Sequence, residues 1–114
     1  MQFIAKLVSF FTLGKPRSGK WQALSKKFLY GKTCAVCGID KKLVAHHKRP
    51  FHEHPDMELD ESNLIALCRY PGRNCHFVFG HLWNWQTVNS DIDDTIDYFN
   101  KLRENAKKTS AKQD

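Results

Sequence analysis

Two interleaved sets of metal-type side chains lie between Cys34 and His81. One is four cysteines, Cys34-x2-Cys37 and Cys68-x6-Cys75. The other is His46-His47, Asn63, His76 and His81. Four thiolates suit a closed tetrahedral zinc site, whereas imidazoles with an amide suit a divalent ion that keeps open positions for water and substrate. The second set has the makings of metal-assisted phosphodiester hydrolysis. That reaction needs a base for water, a cation for the leaving oxygen and a hold on the phosphate.

Adjacent histidines on a strand face opposite sides, so His46 and His47 divide the labour: one ligates the ion and the other reaches the attacking water. A neutral imidazole is a suitable base near neutral pH. His76 is the natural second ligand. His81, five positions on, is off the i+4 spacing of one α-helical face, and joins as ligand or phosphate contact if the helix ends at Gly80. Asn63 either bonds the loop backbone and fixes the histidine strand, or faces the metal. Taken singly, each residue has a plainer reading. An HH pair is a weak signal, Asn63 starts a strand or turn, His76 packs in the core, and His52 and His54 sit in a surface loop. The weight rests on their joint order.

The cysteines have three readings: zinc thiolates, two disulfides formed in an oxidising compartment, or free core thiols. The apolar run Leu7–Leu13 follows Lys6, has no clear cleavage site after it and is too short to span a bilayer. Ile4, Leu7, Val8 and Phe11 recur at helical spacing. They predict a short amphipathic helix docked on the domain rather than a targeting segment. A reduced, cytoplasmic chain with metal-bound thiolates follows.

The elements that must position these groups are legible as a coarse pattern. At 114 residues the chain is one domain with a modest core, which a structural metal would support. Residues 1–20 read as a basic amphipathic segment ending in the linker GKPRSGK, 21–106 as the functional domain and 107–114 as a polar, frayed tail. Trp21, Leu24 and Phe28 define one face of a helix stopped at Gly31. Gly38 frees the cysteine knuckle to turn around a metal. Strands are predicted for 43–48 and 63–68, around an acidic loop with two prolines. A short helix follows over 74–81. The last helix has Ser90 as N-cap, Asp91, Asp93 and Asp94 in its first turn, and an apolar stripe of Ile92, Ile96, Phe99 and Leu102. Trp83 and Trp85 read as core residues, with base stacking as the other option.

Net charge is +6 and no acidic residue precedes Asp40, so the N-terminal third presents cations to a polyanion, with nucleic acid as the leading candidate. Lys48, Arg49, Arg69 and Arg73 are expected to line a substrate groove, extended by Lys20, Lys26 and Lys27.

The stretches CAVCG, VAHHKRPF, HPDMELDESNLIALC and NCHFVFGH, in that order, resemble the HNH endonuclease family, in particular the compact zinc-containing type found in bacteriophage and mobile-element genomes. The resemblance covers roughly residues 17–105. It implies an α+β fold with a small ββα-metal core, a four-cysteine structural zinc site and flanking helices. It also implies a metal-dependent DNA hydrolase that nicks with low sequence specificity and leaves 5′-phosphate and 3′-hydroxyl ends. By position, His46 is the first metal ligand, His47 the general base, Asn63 the asparagine that positions the site, His76 a ligand, and His81 a further contact to metal or phosphate. Cys34, Cys37, Cys68 and Cys75 would hold one zinc. The catalytic ion would be Mg²⁺ or Mn²⁺, with Ni²⁺, Co²⁺ or Zn²⁺ also acceptable to imidazole. DNA is the implied partner, with phage packaging proteins as candidates, for a monomer or weak dimer in the cytoplasm and away from membranes. One departure stands out: Cys68 and Cys75 are separated by x6 rather than x2, as if YPGR were an inserted turn. This leaves open whether His76 or His81 is the main second ligand. The competing reading is a non-catalytic, zinc-dependent nucleic-acid-binding module.

Overall fold

The computed structural model describes residues 17–113, with side chains through 109. The expected N-terminal amphipathic helix lies outside them. The first element is α1 (Trp21–Leu29), ended at Tyr30 and Gly31 as the sequence predicts. Then come β1 (Leu43–His47), two 3₁₀ turns (Pro55–Met57 and Glu61–Asn63), β2 (Leu64–Cys68), a π-helical turn (His76–Gly80) and α2 (Ile92–Gln113). Strands β1 and β2 form a two-stranded antiparallel sheet, with Leu43 opposite Cys68 and His47 opposite Leu64. The chain is thus a small α+β fold in which helices flank one hairpin.

The core explains why so short a sheet holds. Val36, Leu67, Ile92 and Ile96 bury around Cys34, Cys68 and Cys75, with Leu43, Ile65, Phe79 and Phe99 packed at its margin. Apolar side chains and thiols share one interior, so the cysteine cluster sits where a larger domain would place more hydrocarbon. The knuckle docks on the sheet through Ala35 N–H to the Ala66 carbonyl (2.9 Å), and its tight return is closed by Gly38 N–H to the Cys34 carbonyl (2.9 Å). Gly38 adopts φ +79°, a left-handed conformation open to glycine without a Cβ penalty.

Four expectations about the elements are corrected. Ser90 does not cap α2: Thr95 N–H bonds the Asp91 carbonyl, which puts Asp91 at the cap position, and Asn89 Oδ1 accepts from Asp91 N–H. The stripe on α2 leaves the core before Leu102, which is 48% exposed. The tail does not fray at 107 but continues helical to Gln113. Exposed i,i+3 and i,i+4 pairs (Glu104–Lys107, Asp97–Lys101) and helix-forming Ala, Lys and Gln favour this locally. Trp83 and Trp85 are not core residues, being 70% and 51% exposed. Among the described residues no helix is long and apolar enough to cross a membrane.

Candidate functional site

The four cysteines converge from three places. The knuckle supplies Cys34 and Cys37, the end of β2 supplies Cys68, and Cys75 precedes the π-helical turn. All four sulfurs lie within 4.8 Å of one another and none is in a disulfide. Cys37 Sγ and Cys68 Sγ are 3.6 Å apart, close to the roughly 3.8 Å edge of a tetrahedron with metal–sulfur bonds of about 2.3 Å. The x6 spacing is absorbed by a turn at Pro71-Gly72, in which Arg73 and Asn74 N–H both bond the Tyr70 carbonyl. Burial raises the Cys34 and Cys75 thiol pKa values, the latter also through its cysteine neighbours. At Cys37, burial is outweighed by the Ile39 backbone N–H, the Arg73 guanidinium and the adjacent thiols, which bring it down to about 7. The cluster therefore has the proximity and the donor type that a soft divalent ion selects.

The second cluster depends on the π-helical turn. An α-helix would rotate residues five apart off one face, whereas a π turn closes between i and i+5. His76 and His81 consequently present both rings to His46 on β1. His76 Nε2 lies 3.1 Å from His46 Nδ1 and 3.1 Å from His81 Nε2. The three residues form a group whose ligand atoms lie within 4.8 Å of one another. His81 Nδ1 donates to the Thr87 carbonyl at 2.7 Å, so its Nε2 is a bare lone pair aimed at the cluster. On the far sides of the other rings, His46 Nε2 and His76 Nδ1 are buried without hydrogen-bond partners. Burial first, then the neighbouring imidazoles, lower His46 to about 3, while burial, His81 and Arg69 lower His76 to about 4. Three rings with converging nitrogens, spaced near the roughly 3.4 Å edge of a tetrahedral nitrogen site, have the geometry to hold a divalent cation.

His47 points the other way, as strand alternation requires. Its ring stacks on Trp21 of α1 (centroids 4.4 Å apart) and its Nε2 lies 2.9 Å from the Glu58 carbonyl. A carbonyl only accepts, so Nε2 carries the proton and Nδ1 is the basic nitrogen, with no hydrogen-bond partner among the described residues. Burial is the main cause lowering the His47 pKa. Arg17 adds to it, against the raising effects of the Glu58 carbonyl and carboxylate.

Asn63 takes the first of its two expected positions. Its Oδ1 accepts from Arg49 N–H (2.9 Å), and its Nδ2 donates to the Arg49 carbonyl (3.0 Å) and the Met57 carbonyl (3.4 Å). It clamps the loop leaving the histidine strand and does not belong to the histidine cluster.

His46, His47, His76 and His81 open into one cleft of about 400 Å³, walled also by Arg17, Trp21, Phe51, His52 and Trp85. The cations differ from expectation. Lys48 Nζ is held by Asp93 Oδ2 of α2 at 2.8 Å, and Arg73 is engaged at Cys37, so neither lines the cleft. Arg69 acts on His76 from nearby. Arg49, Lys20, Lys26 and Lys27 are exposed but do not line the cleft. The cation that does is Arg17, which lies over Phe51 (4.6 Å) and Trp21 (5.7 Å) and pairs with Glu58 (3.6 Å).

Sequence reasoning passed over Glu58 and Asn89, counted Arg17 only as one cation of the basic N-terminal arm, and used Gly80 only as a helix end. Glu58 is a buried carboxylate that accepts from Ser18 N–H and holds His47 through its backbone. Asn89 donates to the Phe79 carbonyl and Thr95 Oγ1, tying the π-helical turn to α2. An acidic residue inside a proline-bounded loop was the one available signal for Glu58. Asn89 had none.

The chain matches no protein-family model, no curated protein and no solved structure.

Proposed function

We propose that this protein is a metal-dependent endonuclease that hydrolyses DNA phosphodiester bonds, with a zinc ion in the cysteine cluster and a divalent ion at His46, His76 and His81. The observation that carries the reading is the shared cleft. A cluster of three imidazoles with converging nitrogens and a separately oriented histidine with a free basic nitrogen open into the same space, beside an arginine.

The roles follow from the geometry. His47 Nδ1 takes a proton from water, and Nε2–H on the Glu58 carbonyl fixes that tautomer. The water oxygen bonds phosphorus and the P–O3′ bond breaks, leaving a 5′-phosphate and, once protonated, a 3′-hydroxyl. When bound, the divalent ion would supply electrostatic stabilisation of the leaving oxygen. Arg17 supplies a guanidinium for the phosphate, and Asn63 keeps the loop after β1 in place. Zinc held by Cys34, Cys37, Cys68 and Cys75 would link the knuckle, β2 and the segment leading into the π-helical turn, and so support the placement of His76 beside His46. Three imidazoles without a carboxylate favour Co²⁺, Ni²⁺ or Zn²⁺ over the oxygen-preferring Mg²⁺ and Mn²⁺, so the former are expected to bind the cluster more tightly.

The test is cleavage of supercoiled plasmid by wild type and His47→Ala, with each ion or with EDTA. Metal-dependent nicking lost with His47 establishes the activity and its base. A folded, zinc-bearing protein that cuts with no ion overturns the nuclease reading and leaves a nucleic-acid-binding module.

A further inference from the structure

The loop after the π-helical turn is unusual in its backbone and in what it displays. Leu82 and Trp83 are consecutive non-glycine residues at φ +52° and +67°, a conformation that bulky side chains rarely adopt and that persists only where the surroundings enforce it. Here the enforcement is visible. Trp83 N–H bonds the Phe77 carbonyl at 3.2 Å and Asn84 N–H bonds the His81 carbonyl at 3.0 Å. Strain of this kind commonly serves to bury a side chain, but here the indoles are turned outward, with Trp83 70% and Trp85 51% exposed.

Their placement is specific. Phe77 anchors both indoles, with ring centroids 5.6 Å from Trp83 and 4.7 Å from Trp85. Trp85 also lies 4.8 Å from the His81 ring and 5.3 Å from the His76 ring, and it forms part of the cleft wall. An aromatic step therefore rises directly from the metal-type cluster. Arg17 lines the same cleft, and the chain as a whole carries a charge of +6. A flat aromatic surface next to a metal-ligand cluster, with an arginine in the same cleft, matches one nucleotide: phosphate at the cluster, base on the indole. Base–aromatic stacking is tolerant of sequence because every base has a π face. The faces of paired bases inside a duplex are already occupied by their neighbours, so such a step is usable only by a base that has left the stack.

We infer that Trp83 and Trp85 are a stacking platform for an unpaired base next to the scissile phosphate, and that the substrate is DNA with an unpaired nucleotide at the site: a single strand, flap or gap, rather than intact duplex. This rests on the nuclease reading for the word substrate, but the platform is tested by binding alone.

The experiment measures, on zinc-loaded protein with no added divalent ion, the binding of a fluorescein-labelled 20-nucleotide strand, the matching duplex and a one-nucleotide-gapped duplex. Anisotropy and tryptophan quenching are the readouts, for wild type, Trp83→Ala, Trp85→Ala and the two Trp→Phe variants. Zinc content and thermal unfolding confirm that each variant is folded, as expected for exposed positions. The expected result is tryptophan quenching and tighter binding of the unpaired substrates. Each alanine variant should lose about tenfold on those substrates, the order of one base–aromatic stack, with intact-duplex binding unchanged and phenylalanine restoring most of the loss. Equal affinity for strand and duplex overturns the platform, as do alanine variants that weaken both forms alike or neither. Plasmid nicking dependent on His47, run in parallel, separates the two readings. If nicking persists and strand selectivity is absent, only the platform falls. If tryptophan-dependent strand binding persists without nicking, the platform stands and the nuclease reading falls.

Discussion

Gly80 lies against the imidazole of His46: a Cβ built on Gly80 would stand 3.1 Å from His46 Cε1 and 3.2 Å from Nε2. Such contacts are too close to keep, and the ring is the group that must move. Gly80→Ala should therefore tilt His46 away from His76 and weaken divalent-ion binding at the histidine cluster by about 10- to 100-fold, the usual effect of disturbing what orients a ligand. Titration calorimetry with Ni²⁺ checks this, and zinc content should be unchanged because the cysteine cluster does not touch this contact.

Asn63 is buried, and its amide bonds both the N–H and the carbonyl of Arg49. Asn63→Ala strands both groups and should destabilise the fold by about 2–3 kcal/mol. Asn63→Asp keeps the acceptor but loses the donor, and should fall between. Urea unfolding gives the stabilities. Nicking by the folded fraction of Asn63→Ala should drop even where the histidines are intact, because the loop that carries Glu58 and orients His47 loses its clamp.

Arg17 depresses the His47 pKa and lines the cleft. With the folded pKa below its ordinary value, the base is in its active neutral form above that depressed pKa, so the acidic limb of the activity profile should lie below pH 6.5, the ordinary histidine value. Arg17→Gln removes a cation that opposes protonation, and the limb should move to higher pH. It also removes one phosphate contact, so the slope of log affinity against log salt should fall by about 1. Cleavage against pH and binding at several salt concentrations read the two effects separately.

The cysteine cluster lies in the core, so a metal held there would be a folding ligand as well as a local one. Cys68→Ala, or a strong chelator on wild type, should remove on the order of 5 kcal/mol or more of stability and leave the chain largely unfolded. Circular dichroism together with metal analysis decides it: a fully folded, metal-free Cys68→Ala protein would contradict the assignment.

Acid should destabilise the protein through the histidine cluster while that cluster is free of metal. His46 and His76 have folded pKa values of about 3 and about 4, against an ordinary 6.5. Below pH 6.5 the unfolded chain takes up protons that the folded chain refuses, so stability falls as pH drops from 6.5 toward 4 and is flat above 6.5. Thermal midpoints from pH 7.5 to 4.5 should show this slope, reduced in a His46→Gln, His76→Gln double variant that keeps the cysteine cluster and its own acid sensitivity.

What the sequence determined by itself is the kind of chemistry and its local frame. Thiols and imidazoles announce metal ligation by residue type. The His46-His47 step places the two rings on opposite faces because strand side chains alternate. The knuckle at Gly38, the strands expected over 43–48 and 63–68 and the start of α1 follow from turn residues and periodicity, all local properties, whereas the antiparallel pairing of Leu43–His47 with Leu64–Cys68 is a tertiary fact. The tertiary structure decided how those groups meet. The i,i+5 pair His76 and His81 shares a face only because the turn is π rather than α. Lys48 is lost to Asp93, 45 positions away, and Arg17 reaches the cleft because Ser18 and Glu58, 40 positions apart, are bonded. Trp83 and Trp85 read as core by composition, yet a strained loop anchored on Phe77 turns them to solvent. Each of these depends on where distant backbone segments pass, and a side chain's neighbours across such distances leave no period or spacing in the sequence.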